Sequence, residues 1–174
     1  MPKYFRKTVI LLMTCAGIFY SNRSDAQKFF LFAHGLYANP VDNYFKHNYN
    51  YGLGAEAGVG IGIGNTFFVG TVGYTSFSHN NSNNYGQLSY VPVKIGLRHY
   101  LFPGNILFLH ADAGIGIVKN ELFNGSSFTG DLGLGVKLGA LEITTVYDGF
   151  SRTIGGTSGY SSWIGVKAGV QFGL

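Results

Sequence analysis

From Tyr51 to Ile61 the chain alternates without a break. Tyr51, Leu53, Ala55, Ala57, Val59 and Ile61 fall on one parity, and Gly52, Gly54, Glu56, Gly58 and Gly60 on the other. So many glycines would dissolve a helix. A repeat of two is instead the signature of a strand with one apolar face and one small, polar face. Which face meets water decides between a soluble barrel and one that spans a membrane.

The same alternation recurs along the chain, giving eight expected strands near 28–38, 51–61, 67–77, 87–101, 106–118, 128–138, 141–149 and 160–172. About ten residues is the length of a tilted strand crossing a bilayer. Short turns are expected at 62–66, 102–105 and 139–140, and longer polar loops at 39–50, 78–86, 119–127 and 150–159. Long and short connections therefore alternate, as in an eight-stranded antiparallel up-and-down transmembrane β-barrel with both termini on one side. In such barrels the short turns face the periplasm.

Several strands share the face pattern. Val91, Val93, Ile95 and Leu97 oppose Lys94 and Arg98, whereas Leu107, Leu109, Ala111 and Ala113 oppose His110 and Asp112. Leu132, Leu134 and Val136 oppose Asp131 and Lys137, Leu141 and Ile143 oppose Glu142, and Ile164, Val166 and Ala168 oppose Lys167. A soluble barrel would turn its polar face outward and make it rich in Lys and Glu. Here that face is mostly glycine, with one or two charges per strand. Only 11% of all residues are charged, against about 25% in ordinary domains.

Glycine suits the crowded lumen of an eight-stranded barrel. The charges on its parity also nearly cancel: Glu56, Asp112, Asp131 and Glu142 against Lys94, Arg98, Lys137 and Lys167. An enclosed space requires such pairing. The expectation is a lumen charge network inside and an apolar face toward lipid. Strands one and three carry too little charge for either face to be assigned.

Aromatic residues gather near the strand ends, as in membrane-interface girdles. Phe29, Phe30, Phe67, Phe68, Tyr100, Phe102 and Phe172 form the expected periplasmic belt. Tyr37, Tyr49, Tyr51, Phe77, Tyr90, Phe128, Tyr147, Phe150, Tyr160 and Trp163 form the outer one. Pro92 cannot donate to a ladder and is expected at a bulge or at the rim.

Residues 1–26 read as a cleaved signal peptide, with basic Lys3, Arg6 and Lys7, an apolar run over 8–20, and Ser24-Asp25-Ala26 as the cleavage site. The remaining 27–174 form one barrel domain. Removing the signal lowers the formal charge from +4 to +1 and takes away Cys15, the single cysteine. Nucleic acid is thus an unsupported partner, and disulfides play no part.

The segments VPVKIGLRHYLF (91–102) and KAGVQFGL (167–174) resemble the small outer-membrane β-barrel family that includes OmpA-like and OmpX-like domains. The second is similar to the family's C-terminal assembly signal, which implies roles for Lys167, Gly169, Phe172 and Leu174; Leu174 stands where an aromatic is usual. The resemblance implies a protein of the Gram-negative outer membrane, surrounded by lipid and lipopolysaccharide and folded by the barrel-assembly machinery. It implies a structural or surface-interaction role through the long external loops, with the external ligand unidentified.

The alternatives are a narrow transport barrel for small or hydrophobic solutes and a lipid A-modifying enzyme. His79 near Ser82 departs from the deacylase pattern of His and Ser two apart. His110 and Asp112 share one face, but no nucleophile is fixed beside them, and a metal needs more converging ligands than this pair. The glycine run 58–64 lacks the Lys-Ser/Thr of a phosphate loop. No enzymatic activity, cofactor or metal is expected.

Overall fold

The computed structural model describes residues 27–80, 86–121, 124–154 and 157–173. The expected signal segment 1–26, Ser82 and Leu174 lie outside them. Eight strands make one closed antiparallel barrel in chain order: β1 (Gln27–Pro40), β2 (Tyr49–Ile63), β3 (Thr66–His79), β4 (Leu88–Tyr100), β5 (Leu107–Lys119), β6 (Asn124–Leu138), β7 (Leu141–Ile154) and β8 (Thr157–Gly173). β8 closes the ring on β1, pairing Phe30 with Gly173 and Pro40 with Trp163. No described helix is long and apolar enough to cross a membrane; the crossing elements are strands.

At the first and third tight turns, Gly64 (φ +64°) and Gly139 (φ +63°) occupy the left-handed region that glycine enters at no steric cost. At the other end the connections differ from expectation. β7 and β8 stay paired out to Ile154 and Thr157, so most of the expected loop 150–159 is ladder. β6 starts at Asn124 rather than 128. The polar residues there, such as Ser126, Ser127 and Thr153, show no hydrophobic alternation, yet backbone pairing needs none. Strict alternation of loop length therefore gives way to longer hairpins at one end.

The expected loop 39–50 contains a short helix, α1 (Asn43–Asn48). Asp42 caps it by accepting a hydrogen bond from the Phe45 amide at 2.9 Å. Val41 N–H donates to the Ser162 carbonyl at 2.9 Å, tying this connection to β8.

Glycine parity faces inward throughout β2, and the space it leaves is filled from the next strand. A Cβ on Gly60 would strike the Phe30 ring, one on Gly58 the Phe32 ring, and one on Gly52 the Phe77 ring at 2.6 Å. Each of these glycines is the ladder partner of that aromatic. Gly133 and Gly135 likewise sit beneath His110 and Phe108, their partners on β5. Glycine against a large ring keeps the lumen full at constant barrel diameter. This complementarity orients the two strands that charge could not. Phe30, Phe32, His34, Leu36 and Ala38 of β1 point inward, as do Phe67, Val69, Thr75 and Phe77 of β3.

Phe68 and Ile95 are 74% and 76% exposed, in company with Val93, Ile115, Leu132, Leu134, Leu138, Ile143 and Val166. Such a continuous apolar exterior would precipitate a soluble protein; it is the lipid-facing band of a transmembrane barrel.

The aromatic belts are only half as expected. Phe29, Phe68, Phe102, Phe172, Tyr37, Tyr51, Phe128, Tyr147 and Tyr160 do face outward, but Phe30, Phe67, Tyr100, Tyr49, Phe77, Tyr90, Phe150 and Trp163 are buried in the lumen. Strand-end position alone does not reveal parity, and an eight-stranded lumen has room for rings wherever glycine faces them.

Pro92 is also inside rather than at a bulge. The β3–β4 register is the same on both sides of it, Val72 opposite Val93 and Thr75 opposite Tyr90, with an unpaired step between. The proline ring interrupts the ladder without shifting it, beside Gly73, whose absent side chain leaves room for Pro92 Cγ.

Candidate functional site

The lumen is built in three tiers. At the long-hairpin end a buried aromatic cluster gathers Phe45 of α1 with Tyr49, Phe77, Tyr90, Phe150 and Trp163. Phe45 and Phe77 pack edge to face at 4.9 Å, and Phe77 and Trp163 at 5.0 Å, the geometry aromatic quadrupoles favour. At the short-turn end Phe30, Phe32, Phe67, Val69, Tyr100 and Phe108 form a second cluster.

Between the two clusters lies a continuous polar network. Lys94 Nζ donates to Asp131 Oδ2 and, at 2.7 Å, to Asp148 Oδ2. His110 Nδ1 lies 3.0 Å from Asp112 Oδ2 and 3.2 Å from Asp131 Oδ1. Lys167 Nζ donates to Glu56 Oε2 at 2.7 Å, and His34 stands between Glu56 (3.2 Å) and Glu142 (3.5 Å). Arg98 Nη1 reaches Glu142 Oε1 at 3.0 Å and donates to Gln171 Oε1 at 2.8 Å, while Tyr100 donates its hydroxyl to the same oxygen at 3.1 Å. The guanidinium also lies 4.3 Å from the Phe108 ring centre and 5.0 Å from those of Phe30 and Phe32. It thereby joins the polar tier to the lower aromatic tier.

Of the expected charge set, Glu56, Lys94, Arg98, Asp112, Asp131, Glu142 and Lys167 meet in this network. Lys137 does not: it is half-buried toward the short-turn end and joins no ion pair among the described residues. Members outside the charge set include His110, read on the lumen face beside Asp112, and Tyr100, whose hydroxyl donates to Gln171. Asp148 shares the parity of Glu142 and was readable from it, whereas His34 and Gln171 carry no formal charge to count. Of the C-terminal segment, Lys167 points into the lumen and Phe172 toward lipid, while Gly169 packs against the Ala33 carbonyl and His34. His79 ends β3, its carbonyl accepting from Asn50 Nδ2 at 3.3 Å.

Above the upper aromatic tier a cavity of about 490 Å³ opens at the long-hairpin end, walled by Tyr44, Phe45, Asn48, Asn120, Ser127, Phe150 and Arg152 among others. Arg152 is no free loop cation. It donates to Asp42 Oδ2 at 2.7 Å and Ser161 Oγ at 2.8 Å, and lies 4.3 Å from the Tyr44 ring centre. Arg152 thus clamps α1 onto the rim.

A closed eight-stranded ring, lipid-facing outside and filled by ion pairs inside, defines a transmembrane β-barrel of the small outer-membrane type. The chain is similar in structure to the outer membrane protein Ail of Yersinia pestis in a phospholipid nanodisc, with a TM-score of 0.53 at 16% identity over 83% of this chain and 99% of that one. It is likewise similar to Neisserial surface protein A, with a TM-score of 0.54 at 13% identity over 82% of this chain and 95% of that one. No family model and no curated protein matches the sequence.

Proposed function

We propose that the protein is exported to the outer membrane of a Gram-negative bacterium and serves there as a surface-interaction barrel. Its lumen is an anchor rather than a passage. The observation that carries this reading is the filling of the lumen in three tiers, each spanning the bore. A conducting path would require breaking buried ion pairs or displacing fully buried rings. The structural likeness to outer-membrane proteins and the apolar exterior support the location. The N-terminal signal supports export, and the C-terminal Lys167–Leu174 segment supports delivery to the barrel-assembly machinery. Lipid and lipopolysaccharide are the partners of the exterior.

Recognition belongs to the rim cavity. The one cation among its described lining residues, Arg152, is already neutralised by Asp42, so the remaining described lining offers ring faces and serine and threonine hydroxyls to a neutral ligand. That combination suits a polyhydroxylated molecule such as a glycan, which stacks on rings and exchanges hydrogen bonds with hydroxyls. The lumen offers no ready catalytic chemistry, because His110 is engaged by two carboxylates between the aromatic tiers.

Two measurements test the reading. In planar bilayers the refolded barrel should show no steady conductance. In nanodiscs it should bind neutral glycans from an array, and Ser127→Arg, which fills the cavity, should abolish that binding. Steady ion conductance would overturn the anchor, and glycan binding unaffected by Ser127→Arg would overturn the cavity.

A further inference from the structure

One corner of the lumen network brings three side chains able to bind a metal close together. His110 and Asp112 on β5 and Asp131 on β6 are all buried and present one nitrogen and two carboxylate oxygens within 4.8 Å of one another. His110 Nδ1 is 3.0 Å from Asp112 Oδ2 and 3.2 Å from Asp131 Oδ1. Donors bound about 2.0–2.2 Å from a common ion stand about 3.0–3.5 Å apart, and both nitrogen–oxygen spacings fall in that range.

A further observation points the same way. Asp131 is more than nine-tenths buried, and its Oδ1 accepts no well-formed hydrogen bond, facing His110 Nδ1 at 3.2 Å. A buried carboxylate oxygen without a partner is costly. Lys94 does not block the position, because it is bonded to Asp131 Oδ2 and leaves Oδ1 facing His110.

We propose that the lumen holds one divalent transition-metal ion, of the zinc or cobalt type, on His110 Nδ1, Asp112 Oδ2 and Asp131 Oδ1. One nitrogen and two oxygens suit ions of that intermediate softness. The ion joins β5 to β6 at the middle of the bore. The two aromatic tiers shield it, so it is captured as the barrel closes and exchanges slowly afterwards. His110 and Asp112 alone are too few ligands; Asp131, brought alongside by the β5–β6 register, supplies the third.

The untagged chain, unfolded in urea, is refolded into detergent micelles with excess zinc or with a chelator and passed through gel filtration. The metal content of the folded fraction is then measured. One zinc per folded chain is expected. Asp112→Asn and His110→Gln should each cut the content about tenfold or more, the usual loss on removing a ligand or its support, while Lys137→Gln leaves it unchanged. Should either lumen variant fail to fold by heat-modifiable gel mobility, cobalt-loaded wild type decides the matter. Its visible spectrum should show nitrogen and oxygen ligation and vanish when refolding includes excess zinc. Metal-poor folded wild type, equal loading of both lumen variants, or a cobalt spectrum indistinguishable from free aqueous cobalt would each overturn the site.

Discussion

Arg98 is the most instructive residue to remove. Its side chain is 5% exposed and that of Glu142 is fully buried, with Nη1 3.0 Å from Glu142 Oε1. Arg98→Met keeps an unbranched apolar stem in the lumen but removes the guanidinium and leaves Glu142 facing only His34, at 3.5 Å. Stranding one partner of a buried pair costs about 3–5 kcal/mol. Losing the cation from three aromatic faces adds about 1–2 kcal/mol. Adding Glu142→Gln removes the stranded charge, so the double variant should be more stable than Arg98→Met alone by about 1–3 kcal/mol. The assay is urea unfolding in detergent, extrapolated linearly and followed by gel mobility and the fluorescence of Trp163. Trp163 is the single tryptophan and is fully buried in the upper tier. If the double variant is no more stable than Arg98→Met, the lumen does not hold Glu142 as a paired charge, and the account of the middle tier fails.

Arg152→Gln should cost about 1 kcal/mol, because its pair with Asp42 is partly solvated; the same unfolding assay reads it. Arg at the lipid-facing Ala57, Val59 or Val136 should cost about 2–4 kcal/mol in folding into vesicles. Gly58→Ala should destabilise by about 1–3 kcal/mol, since its Cβ would meet the Phe32 ring and the Gly70 carbonyl, whereas Gly70→Ala meets nothing within 4 Å and should be tolerated. Impermeant thiol reagents should label Asn43→Cys and Ser158→Cys on intact cells, and Asn65→Cys and Asn105→Cys only after permeabilisation; equal labelling would overturn the orientation.

Strand number, order and the inward parity of β2 and β4–β8 were legible, because each rests on alternation within a single segment. The parity of β1 was not, because nothing between Phe29 and Pro40 except His34 distinguishes the faces by charge. What distinguishes them is Gly58 and Gly60 across the ladder from Phe32 and Phe30, information that exists only once the register is known. For the same reason charge parity supplied seven members of the lumen network but not how they join. Asp131 serves Lys94 and His110 together because β4, β5 and β6 lie side by side around a narrow bore.

The helix at the rim has an uneven relation to sequence change. Phe45 reaches into the upper tier, touching rings from β2, β3, β7 and β8, so replacing it disturbs the interior of the barrel. Asn43, Lys46 and His47 are exposed around it, and a change there meets solvent alone. Among related strains, drift should therefore gather at those three positions while Phe45 and its cap Asp42 stay fixed. Such a segment can change its exposed side chains from one lineage to the next without reopening the problem of how the barrel folds.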